Sequence, residues 1–100
     1  MRCFAGKKTR MIILKTYTQR ELLFYSNGNF AYKRKNNSDT IKLTIQPKDI
    51  IDLNLSNSLL TIKTKELIAE EGAAPEDTFI FKFENSKEAK KWKESIQTYL

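Results

Sequence analysis

The stretch RELLFYSNGNFAYKRK, Arg20–Lys35, decides the fold. Two apolar runs flank Ser26-Asn27-Gly28-Asn29, and three consecutive cations close the segment. Asn27-Gly28 is the strongest two-residue hairpin signal, because a type I′ turn needs positive φ at both central positions. Arg20 to Tyr25 therefore reads as one strand, with Leu22 and Phe24 on one face. Asn29 to Lys35 reads as its return, with Phe30 and Tyr32 inward.

The same period-2 pattern extends in both directions. Met11 to Tyr17 reads as a strand before the hairpin. Asn36-Asn37-Ser38-Asp39 is a turn. Ile41, Leu43 and Ile45 alternate with polar residues in a fourth strand, which Pro47 ends for want of an N–H. Ile51, Leu53 and Leu55 mark a fifth strand, turned by Ser56-Asn57-Ser58. Leu59 to Lys65 is the sixth. The acidic segment ELIAEEGAAPED, Glu66–Asp77, reads as a loop carrying Glu70, Glu71, Glu76 and Asp77. Phe79, Phe81 and Phe83 alternate in the seventh strand and are read as core. The chain then changes period. Ser86 is placed as an N-cap, with Glu88 in the first turn, where the helix dipole favours an anion. Ala89, Trp92, Ile96, Tyr99 and Leu100 fall on one helical face, opposite Lys87, Lys90, Lys91 and Glu94. The expectation is mostly β: a seven-stranded antiparallel sandwich or barrel capped by one C-terminal amphipathic helix.

Composition bounds the function. The chain has 100 residues, 40% hydrophobic and 30% charged, as expected of one globular domain. The apolar run Met11–Leu14 falls far short of the ~20 residues that span a bilayer. Cys3 is the only cysteine, which suggests a reducing, cytoplasmic setting. The net charge of +6 is unevenly spread. Residues 1–35 hold nine Lys or Arg and one acid, +8; residues 36–100 hold nine and eleven, −2. The basic third seeks an anionic partner.

Catalytic chemistry finds no support. Without histidine there is no His-based acid–base pair or triad. One cysteine and no histidine leave no zinc set, and the three glycines are isolated rather than a phosphate cradle. Asp49 and Asp52 bracket the start of a strand with no evident partner. No enzyme, no metal and no cofactor are expected. Tyr17 and Tyr25 are the aromatics expected to be exposed. Nucleic acid is not the expected partner, because exposed aromatics among the cations of a sheet face are sparse.

The order of elements, with a Trp in the final helix, resembles the pleckstrin-homology (PH) domain over about residues 10–100, leaving 1–9 as a basic lead. RELLFYSNGNFAYKRK is similar to that family's second and third strands, and SKEAKKWKESIQTYL to its closing helix. The Lys- and Asn-rich composition also resembles the acylated and inner-membrane-complex PH-like proteins of apicomplexan parasites. The resemblance implies a non-enzymatic membrane-targeting or adaptor module, peripheral on the cytoplasmic face of a membrane. It would bind acidic phospholipid head groups, phosphoinositide or phosphatidic acid, at the open end of the barrel. Carried over residue by residue, Lys15 and Arg20 stand for the family's lipid-binding cations, and Lys33 and Lys35 join them at the same mouth. The family's basic residue two before the Arg is replaced by Thr18. Lys7, Lys8 and Arg10 are peripheral basic contacts, and Cys3, beside Arg2, is an acylation candidate. Arg2 does not fit N-myristoylation, which needs Gly after Met. The alternative is a PH-like protein-interaction scaffold with no significant lipid binding.

Overall fold

The computed structural model describes residues 2–8, 17–33, 41–69, 72 and 74–100. Their order is β1 (Arg2–Lys8), β2 (Tyr17–Phe24), β3 (Phe30–Lys33), β4 (Ile41–Ile45), a 3-10 turn (Pro47–Asp49), β5 (Ile50–Ser56), β6 (Leu59–Leu67), β7 (Glu76–Lys82) and α1 (Ser86–Gln97). The chain is mostly β. β2-β3-β4 and β5-β6-β7 are two three-stranded antiparallel sheets. β1 joins them, giving the strand order β4-β3-β2-β1-β7-β6-β5. β1 pairs with β2 from Arg2↔Leu23 to Lys8↔Tyr17 and, among the described residues, with β7 at Gly6↔Lys82 and Lys7↔Phe81. Among the described residues no ladder links β4 to β5, so the sheet stays open and no closed barrel forms.

Several expectations are corrected. Arg2–Lys8, within the stretch read as a basic lead, forms a strand that pairs with the hairpin. Met11 to Thr16 lie outside the described residues, and Tyr17 already belongs to β2. RCFAGKK carries little apolar alternation of its own. The hairpin loop is not a two-residue type I′ turn. Gly28 has φ +90°, but Asn27 is not among the positive-φ residues. The Gly28 amide donates to Tyr25 O at 3.0 Å and the Tyr25 amide to Asn29 O at 2.9 Å. The loop is thus three residues, Ser26–Gly28, with glycine in the left-handed bulge position. The Asn27 carboxamide oxygen accepts from the Asn29 amide at 3.0 Å and stabilises the turn locally. The helix N-cap is Asn85, whose Oδ1 accepts from the Glu88 amide at 2.8 Å, rather than Ser86.

The core follows the alternation. Leu22, Phe30, Tyr32, Ile45, Leu60, Ile62, Phe79 and Phe81 are fully buried, with Phe83 close behind. An aromatic chain runs through them at ring separations of 5.8, 5.4, 5.8 and 6.3 Å: Trp92, Phe30, Phe81, Tyr32, Phe79. These near-perpendicular and tilted contacts add to the area term, which for each fully buried aromatic is already large. α1 covers one end of this chain with Ala89, Trp92 and Ile96. Trp92 also meets Phe24 and Phe83 at 6.4 and 6.0 Å. Tyr99 and Leu100 do not extend the helical stripe, since α1 ends at Gln97 and they are 43% and 58% exposed. Ile51, expected inward, is 73% exposed. It is the extra residue of a bulge, because Ile50 pairs with Thr64 and Asp52 with Lys63. One inserted residue reverses which way the next side chain points.

Candidate functional site

The helix leaves the other end of the aromatic chain uncovered. Register places the close of β1, the start of β2, the close of β3 and the start of β4 there: Lys8↔Tyr17 and Lys33↔Ile41 are the terminal pairs. β7 runs antiparallel to β1 and begins at Glu76, so its first residues approach the same end. This is the end at which the basic residues were expected to gather.

They do not all gather on one side of the sheet. Arg20 shares the pleat side of Leu22, the inner side. It is half-buried, and its Nε is closed to solvent with no hydrogen-bond acceptor among the described residues. A buried donor left without an acceptor costs about 1–3 kcal/mol, and more when charged. Lys7 stands opposite Thr18 and Phe81 while Ala5 stands opposite Arg20, so Lys7 holds a backbone position of the same inner parity. Lys8 and Cys3 are placed in β1, Lys8 at outer parity and Cys3 opposite Leu22. Lys15, Lys35 and Arg10 lie outside the described residues.

Lys33 takes the other side. Tyr32 is inner, so its neighbour Lys33 is outer, as is Glu21 beside Leu22. The two face each other across β2 and β3, with Lys33 Nζ 3.7 Å from Glu21 Oε1 and side chains only 17% and 12% exposed. Arg20 and Lys33, expected at one mouth, thus stand on opposite faces of the sheet. Magnitudes give the membrane no clear advantage. Breaking a fully buried pair costs about 3–5 kcal/mol; this partly buried pair falls below that range but still compares with the ~1 kcal/mol that one ammonium gains near an anionic leaflet. Glu21 was overlooked because the two-residue turn predicts Leu22 opposite Lys33. The three-residue turn puts Leu22 opposite Tyr32 and Phe24 opposite Phe30. That register also matches apolar to apolar, and the match is readable in the sequence.

The other acids divide similarly. Glu70 and Glu71 lie outside the described residues. Glu76 and Asp77 open β7, Asp77 exposed and accepting from the Thr78 hydroxyl at 3.1 Å. Asp49, read as partnerless, is buried and well held. Its Oδ2 accepts from the Gln46 amide at 3.1 Å, and its Oδ1 is 3.0 Å from Lys65 Nζ. Burial alone pushes the Asp49 carboxyl up, but Lys65, the Gln46 amide and the Lys48 charge together outweigh it and hold it below the usual carboxylate range. This is a brace for the β4–β5 corner rather than a reactive group.

A shallow groove on the outer face of α1 is lined by Lys87, Glu88, Lys90, Lys91, Glu94 and Ser95. Its mixed charge does not concentrate a positive potential. Among the described residues no set of three metal-ligating side chains converges, and no helix is long and apolar enough to cross a membrane. Compared with models of known protein families the chain matches none, and no curated protein matches it in sequence.

Proposed function

We propose that the protein is a non-enzymatic PH-like module that binds acidic phospholipid head groups at the uncovered end of its sheet, as a peripheral protein on the cytoplasmic face of a membrane. The strand order, with two three-stranded sheets joined by β1 and a helix over one end of the core, supports the PH-like reading. The observation that carries the ligand reading is Arg20: a half-buried guanidinium on the inner side, its Nε enclosed and without an acceptor among the described residues. A guanidinium grips two phosphate oxygens at once, and an oxygen that meets Nε does so once the side chains around it move aside. Lys7 holds a backbone position of the same parity.

The site needs such a pocket. Each basic residue near an anionic leaflet contributes about 1 kcal/mol. Four or five of them give ~4–5 kcal/mol, a Kd of about a millimolar or somewhat below. Diffuse attraction of that size does not hold a protein at a membrane without a specific contact, an acyl chain at Cys3, or a second partner.

The test is co-sedimentation with vesicles of phosphatidylcholine alone or doped with phosphatidic acid, phosphatidylserine or phosphoinositides. Binding is expected only to the acidic vesicles, falling as salt rises. Arg20→Gln is expected to reduce it. The absence of binding at low salt would replace this reading with the second, a protein-interaction scaffold. Two observations favour that alternative: Lys33 is engaged by Glu21, and Asp77 stands exposed at the same end.

A further inference from the structure

We infer that Glu21 is an internal counter-ion that withholds Lys33 from an anionic membrane and so sets how weakly the uncovered end binds it. The inference rests on the lipid-binding reading above and concerns the regulation of that same site. It starts from a mismatch between charge and availability. The hairpin ends in three cations by sequence, yet the first of them lies 3.7 Å from a carboxylate, with 17% of the lysine side chain and 12% of the glutamate side chain exposed. An ammonium so placed cannot approach a leaflet without leaving its carboxylate behind in a nearly dry position. Lys33 closes β3 on the outer face, opposite Glu21, which lies four positions after Tyr17 opens β2. A freed Lys33 ammonium, on its long flexible stem, would reach past the end of β3 toward a bound leaflet. Removing Glu21's charge therefore adds a usable cation as well as deleting an anion.

A double-mutant cycle separates those two effects. The full chain is titrated with vesicles of phosphatidylcholine and phosphatidylserine in equal parts. Glu21→Gln, which keeps the side-chain shape, is expected to strengthen binding about fivefold or more, the value of one cation at an anionic surface. Lys33→Met alone is expected to leave binding unchanged, because the parent does not use that ammonium. In the Glu21→Gln background, Lys33→Met is expected to abolish the gain. If Lys33→Met weakens binding equally in both backgrounds, Lys33 was available all along and the inference is overturned. If parent binding depends on Arg20 but Glu21→Gln changes nothing, the inference fails and the lipid reading stands. If neither the parent nor Glu21→Gln binds at low salt, the lipid reading itself fails. Should Glu21→Gln not fold, the Lys33 ammonium resonance in the parent decides: unmoved on adding vesicles if Lys33 is withheld, shifted if the pair opens to lipid.

Discussion

The Tyr99 ring lies flat against Gly28: a Cβ built on the glycine would fall 2.6 Å from two ring carbons. The Tyr99 hydroxyl donates to Ser26 O at 2.8 Å, and its ring meets Phe24 edge-on at 5.7 Å. The residues just beyond α1 thus clamp the loop between β2 and β3. Gly28 is needed twice over, for its φ of +90° and for the absence of a side chain. Gly28→Ala is expected to cost about 1–2 kcal/mol from the backbone alone, with a further loss from the displaced ring. In a Tyr99→Ala background the further loss should vanish. Urea denaturation of the two singles and the double checks this, and strict additivity would refute the clamp.

Trp92 is fully buried and meets Phe24, Phe30 and Phe83. Trp92→Ala is expected to destabilise the fold by about 3–5 kcal/mol, through lost transfer energy and the cavity left behind. An unchanged melting curve would show that α1 does not pack as described.

The two-face arrangement makes a prediction about which cations matter. Arg20→Gln and Lys7→Gln are expected to weaken binding to acidic vesicles by about fivefold or more each, the value of one membrane-facing cation. Lys90→Gln on α1 is expected to change it little, because Lys90 lies on the outer helix face beside Glu94. Equal losses from all three would mean that attraction is merely diffuse.

Lys33→Met is expected to lower stability, because it leaves the Glu21 carboxylate mostly buried without this cation. The double substitution Glu21→Gln and Lys33→Met is expected to recover most of the loss. Thermal unfolding reads both directly, and no recovery would assign Glu21's support elsewhere.

Asp49 makes stability depend on acid. Its carboxyl is held below the usual range in the folded chain, so the unfolded chain takes up the proton first as pH falls. The stabilisation is complete above about pH 5 and is lost as pH drops below about 4, through the folded value. Asp49→Asn should lower stability near neutrality by about 1–3 kcal/mol, the cost of weakening a buried polar contact. It should also flatten the acid limb of the stability–pH curve. An acid limb as steep as the parent's would assign it to other carboxylates.

Much of this architecture can be read from alternation alone. Phe30 and Tyr32, Phe79 and Phe81 of β7 with Phe83 just after it, and Ala89, Trp92 and Ile96 all lie inside, because apolar periodicity reports burial directly. Positive φ at Gly28 was equally legible. What escaped were positions where one residue shifts register. The loop at Ser26–Gly28 moves β3 by one against β2 and so pairs Lys33 with Glu21; the bulge at Ile51 turns an apolar side chain outward. β1 escaped for another reason, since RCFAGKK owes its place to partners on both sides rather than to its own propensity. Asp49's partner lies sixteen positions along the chain, from Asp49 to Lys65, beyond any local pattern.

The pairing of β1 with β7, strands from opposite ends of the chain, has a kinetic consequence. β2-β3-β4 and β5-β6-β7 are built from neighbours in sequence and close short loops, which nucleate quickly. Gly6↔Lys82 and the Tyr99–Ser26 bond, which spans 73 positions, join opposite ends of the chain. Such contacts bear the largest loop-closure entropy and form late. The seam they make is also the natural place for the folded protein to open first. Native-state hydrogen exchange should find the Gly6 and Lys7 amides less protected than those of Leu60 and Ile62. A seam protected as strongly as β6 would show that the two sheets rise and fall as one unit.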